Sequence, residues 1–383
     1  MDFELSAEQT AIRDAAREFA RGEFDKETAL KHEQDHTFPV DIWQKACELG
    51  FIGIHFPEKY GGQELGVLEN TIVVEEFCRQ DSGIGICLSL ADFAAELILR
   101  FGTEEQKKRY LPSIACGKAL SSGGFTEPDH GSDITLLNTS AVKDGSEYII
   151  NGVKTFITNG TTGDFVLVLC QTDPDAEPAY RGQSLIIVDK NTPGFEAVEV
   201  GDKMGLKMTS TGELSFNNVR VPESHLVGIE NKGFYQVLEF FDESRIEIAA
   251  QALGIAQGAF DRALAYTKER RQFGKKLAEF QVTRHKLADM ATKIETARLM
   301  VYKAAWNCDQ GRMDPKLTSM AKMYAGRIAV EVADEAIQLH GGYGYMLEYE
   351  VERFYRDARI TEIYEGTREI QKNTIASALL GRL

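Results

Sequence analysis

Between about residue 232 and residue 340 the sequence runs through three long amphipathic stretches, roughly 232–270, 278–309 and 314–340, with few residues that break a helix. Helices of this length hold in water chiefly by packing their apolar faces together, so this part of the chain is expected to form a bundle. The segment before it has another texture. From about 120 onward, β-branched and aromatic runs at 147–151, 165–171, 184–189 and 213–221 are separated by Gly, Asn, Asp and Pro, the pattern of strands. Asn151-Gly152 and Asn159-Gly160 read as turns within it. Helical spacing governs the start of the chain. Ile12, Ala15, Ala16 and Phe19 share a face within 6–22, with Ser6 as the cap. Further helices are predicted at 39–49, 67–80 and 89–101, the first and last closed by Gly50 and Gly102. No internal repeat or low-complexity segment interrupts this order. In a chain of 383 residues it predicts an α+β fold of three domains, 1–118, 119–228 and 229–383.

Charge narrows the function. Lys plus Arg number 43 against 59 Asp plus Glu, a formal net charge of −16, which repels phosphate backbones and argues against nucleic acid as a partner. A nucleotide-containing small molecule stays compatible, because a few Arg side chains and backbone N–H groups suffice to hold a pyrophosphate. The basic cluster Lys268-Glu269-Arg270-Arg271 with Lys275 and Lys276 reads as a solvated helix end, unless the motifs around it call for ligand phosphates. The six cysteines, at 47, 78, 87, 116, 170 and 308, form no C-x-x-C pair and sit among mostly apolar neighbours. Neither disulfides nor a metal site is expected, and buried thiols fit a reducing compartment. The opening residues lack an apolar signal core and an Arg-rich transit composition, and no stretch approaches the roughly 18 apolar residues of a membrane span. A cytoplasmic protein is the expectation.

Several short motifs carry chemistry. FTEPDHGSD at 125–133 is dense in hydroxyls and accessible N–H groups that suit a flat polar ligand, and it also fits a plain turn between strands. In KTFITNG at 154–160, Phe156 and Thr158 stand two apart, so on a strand they share a face and offer an aromatic wall and a hydroxyl. The bland alternative is a half-buried strand ending in a hairpin. RRQFG at 270–274 and QLHGGYGY at 338–345 add Arg and glycine-rich backbone. Without a strand before it and a helix after it, that Gly-Gly-x-Gly is not a nicotinamide fingerprint. IYEGTREIQ at 363–371 sets Glu365 beside Gly366 and Thr367, where a lone Glu also fits a solvated helix start. No single motif decides the function.

Together, and in this order, the pieces resemble the acyl-CoA dehydrogenase family, near its short- or branched-chain and alicyclic members. The resemblance spans nearly the whole chain. It rests on FTEPDHGSD, KTFITNG, KMGLKMTSTGELSFNNVRVP at 203–222, RRQFG followed by Gln281, QLHGGYGY, and RDARITEIYEGTREIQ at 356–371. It implies an N-terminal helical domain, a middle β-barrel or sandwich domain and a C-terminal four-helix bundle. It also implies bound FAD, a homotetramer, and an electron-transfer flavoprotein as the partner that takes the electrons. By the same resemblance Phe125, Thr126, Phe156 and Thr158 lie along the flavin. Arg270, Phe273 and Gln281 reach the FAD of a neighbouring subunit, with Gln338, Gly341 and Gly342 at its pyrophosphate. Thr367 and Glu369 make the last FAD contacts. Ser132 falls near the CoA phosphates and Arg245 beside the acyl-CoA chain, with Ser244, Tyr364 and Gly366 on the substrate side. Glu365 falls at the position of the catalytic base. A thioester α-proton is only weakly acidic, so the chemistry asks for a placed carboxylate and for hydrogen bonds to the enolate oxygen. An apolar pocket would raise its pKa toward working pH.

The sequence departs from the family pattern at a few places. Members that carry the base on the first bundle helix have it where this chain has Ser244, which disfavours that arrangement. Glutaryl-specific members place an Arg in the stretch matching Ser82-Gly83-Ile84-Gly85-Ile86, which holds none, so glutaryl-CoA is not expected. Phe156 replaces the Trp of many members and keeps an aromatic wall. Asp92, in LSLADFAAELILRFG at 88–102, admits two readings. With Glu96 one turn later it forms a solvated stripe. Alternatively it is a second carboxylate facing the acyl chain, pairing with a polar substrate or acting as a further base, as in relatives that act on cyclohexene-type thioesters. The expected activity is α,β-dehydrogenation of a short, branched or alicyclic acyl-CoA. The alternative is a flavin-binding relative such as a monooxygenase, or a catalytically silent member.

Overall fold

The computed structural model describes residues 4–381, so the first three and last two residues of the expected domain ranges lie outside the described residues. Seven helices come first: α1 (Ala7–Glu23), α2 (Lys26–Asp35), α3 (Val40–Glu48), α4 (Val67–Gln80), α5 (Ser82–Ser89), α6 (Ala95–Phe101) and α7 (Glu104–Ala115). Ser6 opens α1 with a capping box, its hydroxyl accepting from the Gln9 N–H while the Gln9 side chain accepts from the Ser6 N–H. The single helix expected over 89–101 does not form. The chain turns at 90–94, with Ala94 at φ 70, and no Gly or Pro announces the break. Asp92 sits in that turn, so the helical spacing that put it on one stripe with Glu96 is lost.

The middle of the chain is one eight-stranded sheet. Its strands are β1 (Ser121–Gly124), β2 (Ser140–Asp144), β3 (Glu147–Thr158), β4 (Phe165–Gln171), β5 (Gln183–Asp189), β6 (Phe195–Glu199), β7 (Thr211–Pro222) and β8 (Leu226–Val227). The order is β6-β7-β3-β2-β4-β5-β8, with β1 also paired to β4. The apolar runs of β4 and β5 are explained by burial on both faces. Leu167, Leu169, Leu185 and Ile187 join the N-terminal helical core, whereas Val166, Val168, Ile186 and Val188 form the sheet's own core. Asn151-Gly152 is not a turn. It lies inside β3 at a bulge against β7, where Gly152 takes φ 148 and a Cβ would stand 2.5 Å from Thr139 Oγ1. Asn159-Gly160 does turn.

The bundle consists of α8 (Gly233–Glu269), α9 (Gln281–Asp309), α10 (Pro315–His340) and, after the short α11 (Val351–Ala358), α12 (Arg368–Leu380). Helix α10 packs against α8, α9 and α12, and α4 lies along α8. The bundle core is rich in Ala, including Ala249, Ala252, Ala256, Ala325 and Ala329, which lets the axes approach closely. A buried ionic joint ties the three parts together. Arg353 of α11 is paired with Asp81 at the head of α5 and lies 3.6 Å from Glu33 of α2. On the same helix, Asp357 accepts from Ser82 Oγ at 2.7 Å and from the Leu206 N–H at 2.7 Å. Burial pushes the Asp357 carboxyl up to about 6, against the pull of those hydrogen bonds and of Arg353.

Candidate active site

Glu365 stands in the short link between α11 and α12, held at φ 52, with Gly366 after it at φ 90. A non-glycine residue in the left-handed region persists only where its surroundings enforce it, and three neighbours do so. Lys322 of α10 donates from Nζ to the Gly366 carbonyl at 2.7 Å. Gln371 of α12 donates from Nε2 to the Glu365 carbonyl at 3.1 Å and to the Gly366 carbonyl at 2.9 Å. Ser244 of α8 donates from Oγ to Glu365 Oε2 at 2.6 Å. The residue is partly exposed, but its carboxylate is enclosed by protein. Burial raises the Glu365 pKa above the usual range, and the Ser244 hydrogen bond with the charges of Arg245 and Lys322 only partly offsets this. Thr367 caps α12, its side chain accepting from the Ile370 N–H, and Glu369 lies exposed in that helix's first turn.

Helix α8 carries the neighbours of this carboxylate. Arg245 is buried and pairs through Nη1 with Asp242 at 3.0 Å, while its Nε has no hydrogen-bond partner. Tyr364 donates its hydroxyl to Gln251, which in turn donates to Ser89 at 2.9 Å. Ser244 also lines a cavity between α8, α4 and the 90–94 turn, and Asp92 lines the same cavity with Phe93, Phe240 and Glu247. The solvated-stripe reading of Asp92 and Glu96 is therefore wrong. Glu96 accepts from Arg100 at 2.7 Å and lies 2.9 Å from His55 Nε2, which the missing Gly or Pro in the turn kept out of the sequence pattern.

The expected flavin residues fall into two groups. In the first, Phe125 is buried against Phe240 and Phe241, with ring centroids 6.2 and 5.6 Å away. The Thr126 carbonyl accepts from the Thr155 N–H at 2.9 Å, which aligns 125–126 beside 155–158. Lys154 and Glu127, both buried and 2.8 Å apart, fix this alignment from inside. Thr158 is half-buried, whereas Phe156 points outward at φ 57 and is 69% exposed. Ser132 is exposed in the loop that follows. The second group lies at the other end of α8. Arg270 stacks over Tyr343 at 5.2 Å, joining RRQFG to the 341–345 turn. Here Gln281 and Gln338 are exposed and Phe273 is 91% exposed at φ 51. Nothing lies within 4 Å of where a Cβ of Gly341 or Gly342 would stand. From Phe240 to Arg270 a helix of 30 residues rises about 45 Å, so a single chain does not bring the two groups together.

The residues fit FAD in kind. One group offers an uncovered aromatic ring and hydroxyls for a flat heterocycle, the other an Arg and open glycine backbone for a pyrophosphate. Comparison with known proteins decides the matter. The models for the acyl-CoA dehydrogenase N-terminal, middle and C-terminal domains match residues 6–118, 122–219 and 231–380. The chain belongs to the acyl-CoA dehydrogenase family. It is accordingly an FAD-dependent oxidoreductase acting on acyl-CoA. Acryloyl-CoA reductase (NADH) of Anaerotignum propionicum is 42% identical over 384 residues, covering 100% of this chain and 97% of the relative. Butyryl-CoA dehydrogenase of Megasphaera elsdenii superposes with a TM-score of 0.95 at 39% identity, over 99% of this chain and 100% of that one. A chain solved in work on the electron transferring flavoprotein of Acidaminococcus fermentans superposes with a TM-score of 0.96 at 43% identity, each covered fully. Among the described residues no helix is long and apolar enough to cross a membrane.

Sequence reasoning missed Lys322, Gln371, His55 and Glu247. Lys322 and Glu247 left a faint signal, a charge inside the apolar runs MAKMYAG and RIEIAAQALG. Gln371 stood at the end of the IYEGTREIQ motif without a role being read for it, and His55 left no signal, because its partner Glu96 is brought near only by the fold.

Proposed function

We propose that this acyl-CoA dehydrogenase removes the α-proton of a short, branched or alicyclic acyl-CoA with Glu365 as base, giving the 2-enoyl-CoA. The observation that carries the reading is the enclosed Glu365 carboxylate. Its pKa is lifted by burial, and it accepts a hydrogen bond from Ser244, a residue that also lines the neighbouring cavity. Ser244 hydrogen-bonds the ionised form and so leaves the second carboxylate oxygen to take the proton. The backbone N–H of Glu365 is assigned to the thioester oxygen, where charge develops as the proton leaves. Gln371 and Lys322 hold the two carbonyls of that turn and so fix where the N–H points. The Arg245 Nε, buried without a partner, and Tyr364 are assigned to the substrate side. FAD, when bound, accepts the hydride from the β carbon.

Phe125, Thr126, Phe156 and Thr158 hold the flavin, with Thr367 and Glu369 beside it. Arg270, Phe273, Gln281, Gln338, Gly341 and Gly342 serve the FAD of another copy, in keeping with the 45 Å that separates the two groups along α8. The assembly is then a homo-oligomer, a tetramer by family resemblance, with Ser132 near the CoA phosphates. An electron-transfer flavoprotein is the proposed electron partner, supported by the likeness to the Acidaminococcus fermentans chain. Asp92 serves as a second carboxylate toward the acyl group, which supports an alicyclic substrate. Domain limits of 1–118, 119–228 and 229–383 follow the breaks before β1 and before α8.

Anaerobic mixing of the purified holoenzyme with butyryl-CoA and cyclohexanecarboxyl-CoA tests the reading. Loss of the oxidised flavin absorbance with at least one of them, and none with NADH alone, is expected. Bleaching by NADH with neither acyl-CoA active contradicts it.

A further inference from the structure

The cavity beyond Ser244 carries ionisable side chains that a hydrocarbon cannot partner. Ser244 and Glu247 stand three apart on α8 and so share a face, and both line the cavity together with Asp92 and His55. Its cations are already matched. His55 Nε2 lies 2.9 Å from Glu96, and Arg100 bonds Glu96 at 2.7 Å and also pairs with Glu243. Two carboxyl groups, Asp92 and Glu247, are left without a cation of their own. Glu247 Oε1 is buried and has no hydrogen-bond partner. A buried oxygen in that state is costly unless a ligand supplies the donor.

We propose that this cavity is a subsite for an acyl group bearing a neutral hydroxyl beyond its β carbon, held between Glu247 and Asp92. The proposal rests on the dehydrogenase reading above and names its substrate class. Three tail chemistries can be compared. A plain hydrocarbon leaves Glu247 Oε1 unpartnered. A carboxylate tail meets two acidic groups while His55 and Arg100 are occupied by Glu96 and Glu243. An ammonium tail requires Asp92 and Glu247 to ionise side by side. Burial, and then their mutual repulsion, holds Glu247 well above the usual carboxylate range, and burial raises Asp92 as well. A hydroxyl suits carboxyls that keep their protons, because it donates to one oxygen and accepts from the other group's O–H.

The test measures binding to the holoenzyme by calorimetry, alongside anaerobic flavin bleaching, for length-matched thioesters. These are pentanoyl-CoA, 5-hydroxypentanoyl-CoA, 5-aminopentanoyl-CoA and glutaryl-CoA, with cyclohexanecarboxyl-CoA and its 4-hydroxy derivative as the ring pair. At least one hydroxylated probe is expected to bind about ten-fold more tightly than its hydrocarbon parent, and Glu247→Leu is expected to reduce that advantage to about two-fold or less. Equal binding of hydroxylated and parent thioesters overturns the subsite, as does tighter binding of the amino or dicarboxylic probe. Since the panel is read on the unaltered protein, a Glu247→Leu chain that fails to fold leaves the test intact. Bleaching by the parents without a hydroxyl preference defeats the subsite alone, whereas binding without bleaching by any probe defeats the dehydrogenase reading.

Discussion

Lys322 conditions Glu365 from outside the motifs, through the Gly366 carbonyl and through its charge. Its ammonium is buried within the bundle, which pushes its pKa down to about 7, with Glu365 opposing that shift and Arg245 adding to it. Lys322→Met removes the hydrogen bond to the Gly366 carbonyl and a cation that lowers the Glu365 pKa. The expected results are a stability loss of about 1–3 kcal/mol and an upward move of the acidic limb in the pH profile of substrate bleaching. An acidic limb that stays in place or moves down contradicts this account. Glu365 itself was legible in the sequence, because it stands in a dense ordered motif. Lys322, Glu247 and His55 were not, since each owes its character to side chains 40 to 190 residues away that meet only after folding.

At the scale of elements, α4 and α8 approach each other closely. A Cβ on Gly258 would stand 2.2 Å from the Arg79 carbonyl, and one on Gly254 would stand 2.5 Å from the Glu75 carbonyl. Backbone cannot yield as a side chain tip can, so Gly258→Ala is expected to cost about 1–3 kcal/mol in urea unfolding. Gly22→Ala, in α1 with nothing within 4 Å, is expected to be neutral or to stabilise by up to about 1 kcal/mol. Equal effects at the two positions contradict the close-packing argument. The long helices and α4 were legible from their period. The break at 90–94 was not, because Ala94 adopts a left-handed conformation that sequence habit reserves for Gly or Asn. The bulge at Gly152 was mistaken for a turn, since the same Asn-Gly pair serves both.

The whole molecule is joined by ions as well as by apolar packing. Arg353 is 2% exposed and faces Asp81 and Glu33 from other segments of the chain. Arg353→Met leaves Asp81 buried without its cation, while Glu33 keeps Arg356, and a loss of about 3–5 kcal/mol is expected in chemical denaturation; a change under about 1 kcal/mol contradicts this. The three-part order was legible because period, strand texture and breaker density change together near 120 and 230. The joint was not, because Arg353 and Asp81 are 272 residues apart. What this architecture sets in place is one enclosed carboxylate on a strained link, hydrogen-bonded to Ser244, which in turn lines a cavity built from helical elements of both ends. The most direct test is stopped-flow bleaching of anaerobic Glu365→Gln holoenzyme by the best acyl-CoA. The flavin content and acyl-CoA affinity are expected to stay within about two-fold of the parent, while the bleaching rate falls roughly 10²- to 10⁴-fold. Bleaching at the parent rate would show that another group removes the proton.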